Sequence, residues 1–401
     1  MIFSSAINLI EILLFSYLGF ASLYFLFFSI ASHIPKKDVV KAKPSAIRRI
    51  AVLIPGYKED NVILDVAKDA LEQNYPKDFF DVIVIADSFK KETLINLKTL
   101  PITVIEVTFD KSTKSKALNK AMEVLPNKYD IAVIIDADNI MADDFLNHVN
   151  KSFDNGYQVV QGHRKAKILN TSFAVLDAIS EEINNSIFRK GHRAVGLSSA
   201  LIGSGMAFSY SFFKTRMASI KAIGGFDKEL ELTLLRDGYK IDYLDNAIIY
   251  DEKVQKADVF ANQRRRWLSA QFVYFRRFFG SGLIHLVTKG NLDFFDKVYQ
   301  MISPPRVLLL GTTGLLLLAS AITSLSSTAY SNLIFGYPCW GLLFVISFSA
   351  LILATPPEFL NMETTCALKA LPKAISIMYK SLFKLKGANN KFIHTSHGTD
   401  K

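Results

Sequence analysis

Cysteine is nearly absent from this sequence, since Cys339 and Cys366 are the only two in 401 residues. Two thiols cannot build the disulfide framework of a small secreted protein or a zinc site made of cysteines. Charged residues are also few, at 21%, whereas half of the residues are apolar and the mean hydropathy is +0.22. This composition excludes a disordered chain and is too apolar for an ordinary soluble protein.

Several nucleotide and metal motifs are missing as well. No G-x-G-x-x-G follows the first strand-like run and no Walker A sequence occurs, so dinucleotide and ATP sites of those types are unsupported. The seven histidines include no H-E-x-x-H pair. What the chain does carry is a net charge of +10. Such a surplus suits nucleic acid, an anionic membrane surface or a phosphate-bearing substrate, and its distribution decides between them.

Long uncharged runs point to a membrane. Residues 12–32 contain no charged side chain, and residues 307–357 form a second uncharged run that the polar stretch 326–332 interrupts. Each apolar piece approaches the roughly 20 residues that a helix needs to cross a bilayer. We therefore predict three membrane-spanning helices, at residues 12–32, 307–325 and 333–354.

The distribution of lysine and arginine predicts the orientation of these spans. Residues 35–50 hold six Lys or Arg against one Asp, and residues 366–401 hold seven Lys against one Asp, whereas the loop 326–332 holds none. Because basic residues stay on the cytoplasmic side, we expect residues 32–306 and the C-terminal tail in the cytoplasm and the N-terminus outside. The expected location is the inner or plasma membrane. A basic surplus beside membrane spans also disfavours nucleic-acid binding.

Two further segments mix apolar and basic side chains. Residues 267–286 and 367–386 suit helices that lie in the headgroup layer, with their lysines or arginines toward anionic lipid. The alternative for both segments is an ordinary amphipathic helix that packs on the soluble part of the chain.

The part between the first and second spans predicts an α/β fold. Apolar runs of strand length, rich in β-branched residues, alternate there with helix-like patterns. This order predicts a mostly parallel sheet with helices on both faces, in which ligands bind beyond the carboxyl ends of the strands. The runs lie at residues 50–54, 82–86, 102–107 and 131–135, and the helical patterns at residues 60–74, 88–98 and 114–125.

Acidic residues follow three of these runs. Glu59 and Asp60 come after the first, Asp87 after the second, and Asp136 and Asp138 after the fourth. In an extended segment, acids at positions i and i+2 point the same way. Two such carboxylates suit Mg²⁺ or Mn²⁺, which completes its coordination with water and substrate phosphates. A metal-bridged diphosphate is therefore the expected ligand, with turn or helix-capping roles as the alternative for each acid.

Five segments, taken in order, carry a resemblance to a known family. They are IPGYKE at residues 54–59, Asp87, Lys114 with ALN at 117–119, DAD at 136–138 and QRRRW at 263–267. The chain resembles membrane-integrated family-2 glycosyltransferases of the processive polysaccharide-synthase type, which include cellulose, hyaluronan and chitin synthases. QRRRW fits that family's Q-x-x-R-W fully, whereas Lys58 replaces its usual Asn. The resemblance covers residues 48–270 and the membrane flanks.

The resemblance implies a fold of glycosyltransferase-A type and a nucleotide-sugar donor, most often a UDP-sugar. Tyr57, Glu59 and Asp87 would hold the base and ribose of the donor. Asp136 and Asp138 would hold Mg²⁺ or Mn²⁺ on its diphosphate. The full set of donor-nucleotide residues that it implies is Pro55, Tyr57, Glu59, Asp87, Lys114 and Asp136.

The same family has a T-E-D-like motif before a helix that ends in Gly and an aromatic residue, and an acid of this motif is the catalytic base. Counting back eleven residues from Gly238 reaches Asp227, with Phe226 where the preceding Glu belongs. Glu229 falls on the family's secondary acidic position. The implied order of candidate bases is Asp227, then Glu229, then Glu231. The alternative is that these acids only favour the first turn of a helix.

Two further segments are candidates for binding the diphosphate and the acceptor. Arginine makes forked contacts to phosphate oxygens, and tryptophan offers a flat face to a sugar ring. The first segment therefore contributes Gln263, Arg264, Arg266 and Trp267, with binding of lipid headgroups by its arginines as the alternative.

Small residues let an acceptor approach the backbone, or simply allow tight packing. The second segment contributes Gly203, Ser204 and Gly205.

We therefore expect a metal-dependent inverting glycosyltransferase that extends a polysaccharide at the cytoplasmic membrane face, as the resemblance implies. One alternative is transfer of a single sugar to a lipid or polyprenyl-phosphate acceptor, and another is an inactive membrane partner that binds nucleotide sugars. A homo-oligomer or accessory export proteins remain open as partners. The predicted divisions are a membrane helix at 1–33, a glycosyltransferase domain at 34–266, interfacial helices at 267–306, two membrane helices at 307–354, and an interfacial helix with a basic tail at 355–401.

Overall fold

The computed structural model describes most of the chain. The basic segment before the first strand, the loop 326–332 and the far C-terminal tail, on which the predicted orientation depends, lie outside the described residues. Those residues are 2–35, 46–220, 224–255, 257–325 and 334–385.

A single eight-stranded sheet lies at the centre of the soluble part. Its strands, in spatial order, are β3, β2, β1, β4, β7, β6, β8 and β5. All four runs that the sequence predicts as strands are confirmed and form β1 to β4. The strand bounds are β1 Ile50–Tyr57, β2 Phe80–Asp87, β3 Thr103–Val107, β4 Ile131–Ile134, β5 Ile140–Met141, β6 Val159–Ala166, β7 Met206–Ser209 and β8 Ile241–Asp251.

Helices follow the strands and continue into the membrane part. The three helices predicted between the first strands are confirmed as α2, α3 and α4. The bounds are α1 Ile2–Ala31, α2 Ile63–Leu71, α3 Lys91–Leu97, α4 Lys114–Val124, α5 Phe145–Phe153, α6 Ser172–Asn184, α7 His192–Ala194, α8 Tyr210–Met217, α9 Phe226–Arg236, α10 Ala257–Lys289, α11 Leu292–Gln300, α12 Arg306–Ser324, α13 Tyr337–Ala354, α14 Met362–Ala367 and α15 Leu371–Leu382.

The first four strands are parallel to one another, and β1, β2 and β4 are buried on both faces, whereas β3 at the edge of the sheet is partly exposed. Val52 pairs in register with Val82, and both belong to the core cluster on one face. Leu53 pairs with Ile83, and both belong to the cluster on the opposite face. This alternation follows from the two-residue period of a strand. It explains why these runs are continuously apolar, as is typical of a sheet covered by helices on both sides.

The second half of the sheet is mixed rather than parallel. β7 runs antiparallel to both of its neighbours, β4 and β6, and β5 runs antiparallel to β8. The loop at residues 203–205, which immediately precedes β7, consequently lies beside the carboxyl end of β4. The fold thus brings the small-residue segment and the D-x-D segment to one edge of the sheet.

Among the described residues, three helices are long and apolar enough to cross a membrane: Ile7–Ala31, Arg306–Ser324 and Tyr337–Ala354. Helices at the three predicted places are therefore confirmed. The first and third of them pack together through Ser22 and Ser347, whose hydroxyl oxygens lie 2.8 Å apart. The first also docks on the soluble part, because the Tyr24 hydroxyl donates to Asp296 at 2.7 Å and Phe28 stacks on His192.

The segment predicted as interfacial at 267–286 belongs to α10, a single helix that crosses the predicted division at 266/267. Ala270, Tyr274 and Phe278 are part of the core of the soluble domain. On its other side, Val273 and Ile284 are 53% and 61% exposed. One face of the helix therefore packs on the domain, while apolar side chains on another face are exposed. A position in the headgroup layer stays a prediction.

Candidate active site

The first group of site residues lies where β1 and β2 end. Tyr57 and Asp87 are the last residues of these strands and are paired in register. The chain then leaves both strands through left-handed residues, Lys58 with φ 56° and Ser88 with φ 60°. Non-glycine residues seldom adopt this conformation, and they cluster at binding sites that need a sharp turn. Tyr57 and Asp87 are thereby held side by side at the edge of the sheet.

Pro55 and Glu59 flank this pair. Pro55 lies within β1, because the strand runs three residues beyond its predicted end, and Glu59 follows the turn. Glu59 is 8% exposed and Asp87 is 2% exposed, so both carboxylates are largely removed from water. Asp87 accepts a hydrogen bond from the Ser88 hydroxyl at 2.9 Å. The structure therefore brings the four strand-end residues of the predicted donor set together.

Asp136 and Asp138 follow β4 directly, as predicted, but they occupy a turn rather than an extended segment. The Asn139 amide donates to the Asp136 carbonyl at 3.1 Å and closes this turn. The extended geometry expected for the two acids is therefore wrong. Both side chains are partly exposed, and Asp138 accepts from the Asn139 side chain at 3.1 Å.

Lys114 connects the D-x-D turn to the small-residue loop. It is the first residue of α4, and its ammonium group contacts the Asp136 carboxylate and donates to the Gly203 carbonyl, the latter at 2.7 Å. The Asp136 amide in turn donates to the Ser204 hydroxyl at 2.9 Å. Four residues predicted from separate motifs thus form one hydrogen-bonded group.

The loop itself depends on glycine. Gly203 has φ 84° and Gly205 has φ 63°, both in the left-handed region where a side chain is disfavoured. Ser204 between them is fully buried, and its hydroxyl donates to the Asn139 side chain at 2.5 Å. The segment is the turn that leads into β7.

Among the three candidate bases, Asp227 faces the small-residue loop. A Cβ atom placed on Gly203 would lie 3.9 Å from the Asp227 carboxyl carbon. Burial raises the pKa of Asp227, while Lys228 and Lys114 oppose this rise. The residue also lines a large cavity. A buried carboxylate with a raised pKa next to open space has the properties of a general base.

Glu229 and Glu231 are engaged in ion pairs. Glu229 binds Arg277 at 2.8 Å. Glu231 is completely buried, accepts from the Leu201 amide at 3.1 Å, and pairs with Lys297 at 3.0 Å and Lys228 at 3.1 Å. Burial alone would raise the pKa of Glu231, but the two lysines hold it below its ordinary value. Neither glutamate lines the cavity, which supports the predicted order with Asp227 first.

The QRRRW segment lies on α10 and divides into two parts. Arg264 contacts Asp177 of α6 and lies over the rings of Phe260 and Trp267, at 4.7 Å and 4.5 Å from their centres. The Arg264 side chain is therefore held in place by contacts within the protein. Arg266 and Trp267 line the cavity, as Arg264 does, and burial lowers the pKa of Arg266. Trp267 is 42% exposed, whereas Gln263 is not among the lining residues.

The cavity has a volume of about 1180 Å³. Its walls include Lys114 and Asp227 on the side of the predicted site. They also include residues of the three membrane helices, among them Phe25, Leu310 and Ile352. Tyr57, Asp87 and both acids of the D-x-D turn do not line it. The candidate site therefore has two parts, with Lys114 between them. One is the set of residues predicted to bind the donor at the strand ends and in the D-x-D turn, here called the donor edge, and the other is this cavity.

The donor edge fits a divalent cation by its chemistry. Asp136 and Asp138 offer partly exposed carboxylate groups. The Lys114 ammonium group already contacts Asp136, so the turn binds one positive charge in this structure. Within the described part of the chain no cluster of three or more His, Cys, Asp or Glu side chains suits a metal ion. Two carboxylates suffice for Mg²⁺ or Mn²⁺ when substrate phosphates supply further ligands.

Sequence reasoning missed several residues around the site. Lys228 donates to the Leu201 carbonyl at 2.8 Å, and Lys297, which is 1% exposed, neutralises Glu231. Asn139 anchors Ser204. Arg306 lines the cavity at the start of α12. Arg306 is the last charged residue before a long apolar run, and this position could have indicated a functional role from the sequence. Nothing in the sequence singles out Lys297.

Comparison with known proteins supplies the family context. Residues 48–270 match the model of a family described as "Glycosyltransferase like family 2". The Bacillus subtilis protein named "Probable glycosyltransferase YdaM" is 25% identical over an alignment of 252 residues, and the match covers 59% of this chain and 57% of that protein. The chain thus spans less than two thirds of that relative's length.

A solved structure shares the fold. It is the mannosyltransferase PcManGT from Pyrobaculum calidifontis, in complex with GDP-Man and Mn²⁺. The TM-score is 0.59 at 18% identity, and the match covers 93% of this chain and 98% of the other. The predicted α/β fold of glycosyltransferase-A type, with three candidate membrane helices, is confirmed.

Proposed function

The chain belongs to the glycosyltransferase-like family 2, whose model covers more than half of it, and on that premise we propose that it transfers a sugar from a nucleotide sugar to an acceptor hydroxyl at a membrane surface. One observation carries the proposal. The loop at Gly203 contacts Lys114, the partner of Asp136, and also faces Asp227. The residues proposed to hold the donor diphosphate and the candidate base Asp227 therefore lie next to the same loop.

The donor is a nucleoside diphosphate sugar. Tyr57, Glu59 and Asp87 hold its base and ribose at the strand ends, and Lys114 is placed to contact its phosphates. Asp136 and Asp138 hold Mg²⁺ or Mn²⁺, which supplies charge neutralisation for the leaving diphosphate when it is bound. A UDP-sugar is the preferred donor on the resemblance of the motifs, with a GDP-sugar as the alternative.

Asp227 acts as the base. It takes the proton of the acceptor hydroxyl while the hydroxyl oxygen forms a bond to the anomeric carbon. The bond from that carbon to the diphosphate oxygen breaks on the opposite side, so the configuration inverts. Arg266 and Trp267 bind the acceptor from the cavity. Burial of Asp227 supports this role, because a raised pKa makes a carboxylate a stronger base.

The acceptor approaches from the cavity. The motifs favour a growing polysaccharide, which the membrane helices would hold or pass. The mostly apolar lining of the cavity supports the alternative, a lipid-linked acceptor that receives one sugar. The third alternative, an inactive nucleotide-sugar binder, is disfavoured because Asp227 has the environment of a base. We place the domain on the cytoplasmic side of an inner or plasma membrane, with the N-terminus outside.

A donor screen tests the proposal. The purified full chain is incubated with UDP- and GDP-sugars, with Mn²⁺ or Mg²⁺, and release of the nucleoside diphosphate is measured. We expect release that depends on the metal and is lost in Asp138→Asn. If no donor gives more release than that variant with either metal, the proposal is wrong. Product size on a gel then separates a polymer from a single transfer.

A further inference from the structure

The cavity carries an excess of positive charge. Among the described residues that line it, seven are Lys or Arg and two are Asp or Glu. Cations that face a partly closed space need counter-charges, because burial of an unpaired charge is costly. A lining cation without a carboxylate partner would therefore indicate where a bound anion belongs.

Most of the lining cations already have a carboxylate partner. The ion pairs are Lys114 with Asp136, Lys228 with Glu231, Arg164 and Arg189 with Glu181, and Arg264 with Asp177. These contacts explain the cations as parts of the protein's own framework. Two lining cations remain to be considered, Arg266 and Arg306. Arg266 is already assigned to the acceptor in the proposed function, so Arg306 is the lining cation still to be explained.

Arg306 is held in place by neutral groups. Its guanidinium donates to the Asn184 side chain at 2.6 Å and to the Ser180 carbonyl and hydroxyl at 3.1 Å and 3.3 Å. The same group lies 5.6 Å from the centre of the Phe188 ring. Within the described residues, no carboxylate lies within ion-pair distance of it. The side chain is thus oriented by neutral neighbours, and no carboxylate of the described residues pairs with it directly.

The wall on the membrane side of Arg306 is apolar and open. Leu310 and Ile352 belong to membrane helices, and Met378 belongs to the amphipathic helix α15. Ile352 is 43% exposed and Phe348, which also lines the cavity, is 48% exposed. An apolar wall that continues onto the outer surface of membrane helices suits a lipid chain and offers little to a hydrophilic glycan.

The size of the cavity leaves room for such a ligand. Small-molecule sites typically measure about 300–1,000 Å³. This cavity, at about 1180 Å³, exceeds that range although the strand-end residues proposed for the donor do not line it. The volume is therefore available to the second substrate.

We propose that Arg306 binds the phosphate of a lipid acceptor, whose chain lies against α12, α13 and α15 and whose hydroxyl reaches Asp227. The proposal deepens the sugar-transfer function and rests on it for the role as acceptor. The binding site itself can be tested without any donor. Arg306 is then a specificity residue that distinguishes a lipid phosphate from a neutral lipid.

Binding is measured on the full chain in detergent, by native mass spectrometry, with farnesyl phosphate and farnesol as probes. The two share one chain and differ only in the phosphate. For the wild type we expect farnesyl phosphate to bind at least about tenfold more tightly, the size typical of a charge-assisted hydrogen bond. Inorganic phosphate alone is the third probe, and we expect it to bind far more weakly than farnesyl phosphate.

Three variants locate the effect. Arg306→Gln should reduce the preference for farnesyl phosphate to about threefold or less while farnesol still binds, which reports an intact cavity. Arg306→Lys keeps the charge and should retain part of the preference. Arg276→Gln removes the same charge from an exposed position of α10 that does not line the cavity, and should leave the preference unchanged.

The outcomes separate this inference from the proposed function. Equal binding of both probes, or unchanged preference in Arg306→Gln, overturns the inference even if the wild type releases nucleotide from its donor. Inorganic phosphate that binds as tightly as farnesyl phosphate also overturns it. If Arg306→Gln no longer binds farnesol, the cavity itself is disturbed, and Arg306→Lys becomes the deciding variant. An Arg306→Lys protein that does not prefer farnesyl phosphate over farnesol counts against the proposal.

The acceptor role has its own readout. With labelled donor and a membrane lipid extract, wild-type product should partition into organic solvent, and Arg306→Gln should lose this product more than it loses donor hydrolysis. Equal loss of both contradicts the acceptor role. A wild type that shows the lipid preference but never releases nucleotide would instead refute the sugar-transfer function.

Discussion

The donor edge and the cavity are built in different ways. At the donor edge, Tyr57 and Asp87 are the last residues of neighbouring parallel strands, and the D-x-D turn follows the next strand on the other side. The cavity is assembled from segments as distant as Phe25, Asp227 and Met378. The first region is therefore fixed by strand register, and the second by packing between the soluble domain and the membrane helices.

This difference separates two tasks. Strand register holds the donor edge rigidly, and a charged diphosphate needs fixed partners. The cavity has loosely defined apolar walls and two kinds of anchor, Trp267 with its flat face and Arg306 with its charge. On the function and the inference proposed above, an acceptor would be selected there by shape and by one charge. Changes at the donor edge should therefore abolish turnover, whereas changes in the cavity should alter which acceptor is used.

The largest effect is expected at the D-x-D turn. Asp138→Asn removes one of two proposed metal-binding carboxylates and should lower turnover by about 10³-fold or more, since charge stabilisation by a metal is worth several kcal/mol. Turnover is measured as nucleotide release over a range of Mn²⁺ concentrations. The variant should keep the melting temperature of the wild type. Turnover that is unchanged and still responds to metal would show that Asp138 is not a ligand.

At the junction of the two regions, Asp227→Asn should lower transfer by about a hundredfold or more while donor binding persists. The base must be ionised, and burial raises the pKa of Asp227 above its ordinary value of 3.8. The wild-type kcat/KM should therefore fall as the pH drops through this raised pKa. The variant should lack this decline.

Glu229→Gln is the control for this test. Glu229 is near Asp227 in sequence but is paired with Arg277, whose side chain is 55% exposed. The Glu229 side chain is buried and does not line the cavity, so loss of the pair should act on stability and not on the reacting groups. Transfer should therefore stay within about threefold of the wild type. An inactive Glu229→Gln together with an active Asp227→Asn would reverse the order of the candidate bases.

A third prediction concerns stability instead of rate. Glu231→Gln leaves the Lys297 ammonium, which is 1% exposed, with no carboxylate partner, and should cost about 3–5 kcal/mol. Because the lysines hold the pKa of Glu231 below its ordinary value, the wild type has this stability above that value and loses it as the pH falls through the lowered pKa. The difference in melting temperature between wild type and variant should stay constant from pH 7 down to the ordinary pKa of 4.5 and shrink as the pH falls further. A difference that does not shrink below that pH would contradict the ion-pair explanation.

The donor edge could be predicted from the sequence to a large extent. Apolar runs fix β1, β2 and β4, and parallel strands align their carboxyl ends, so Tyr57, Asp87 and Asp136 meet without knowledge of distant contacts. The turn around Asp136 escaped prediction, because it depends on the Ser204 hydroxyl, 68 residues away. Residues such as Arg306 and Lys297 acquire their roles only when separate helices pack together. That packing cannot be predicted from the sequence around either residue.

The smallest expected effect belongs to the cavity. Trp267 is 42% exposed and lies over Arg264, so its ring can stack on an acceptor without supporting the core. Trp267→Ala should raise the KM for the acceptor by about fivefold and leave the KM for the donor unchanged, since a stacked aromatic ring contributes about 1 kcal/mol. Trp267→Phe keeps a flat ring and should recover most of this loss. Equal changes in both KM values would mean that α10 orders the donor edge too, and that the two regions do not act separately.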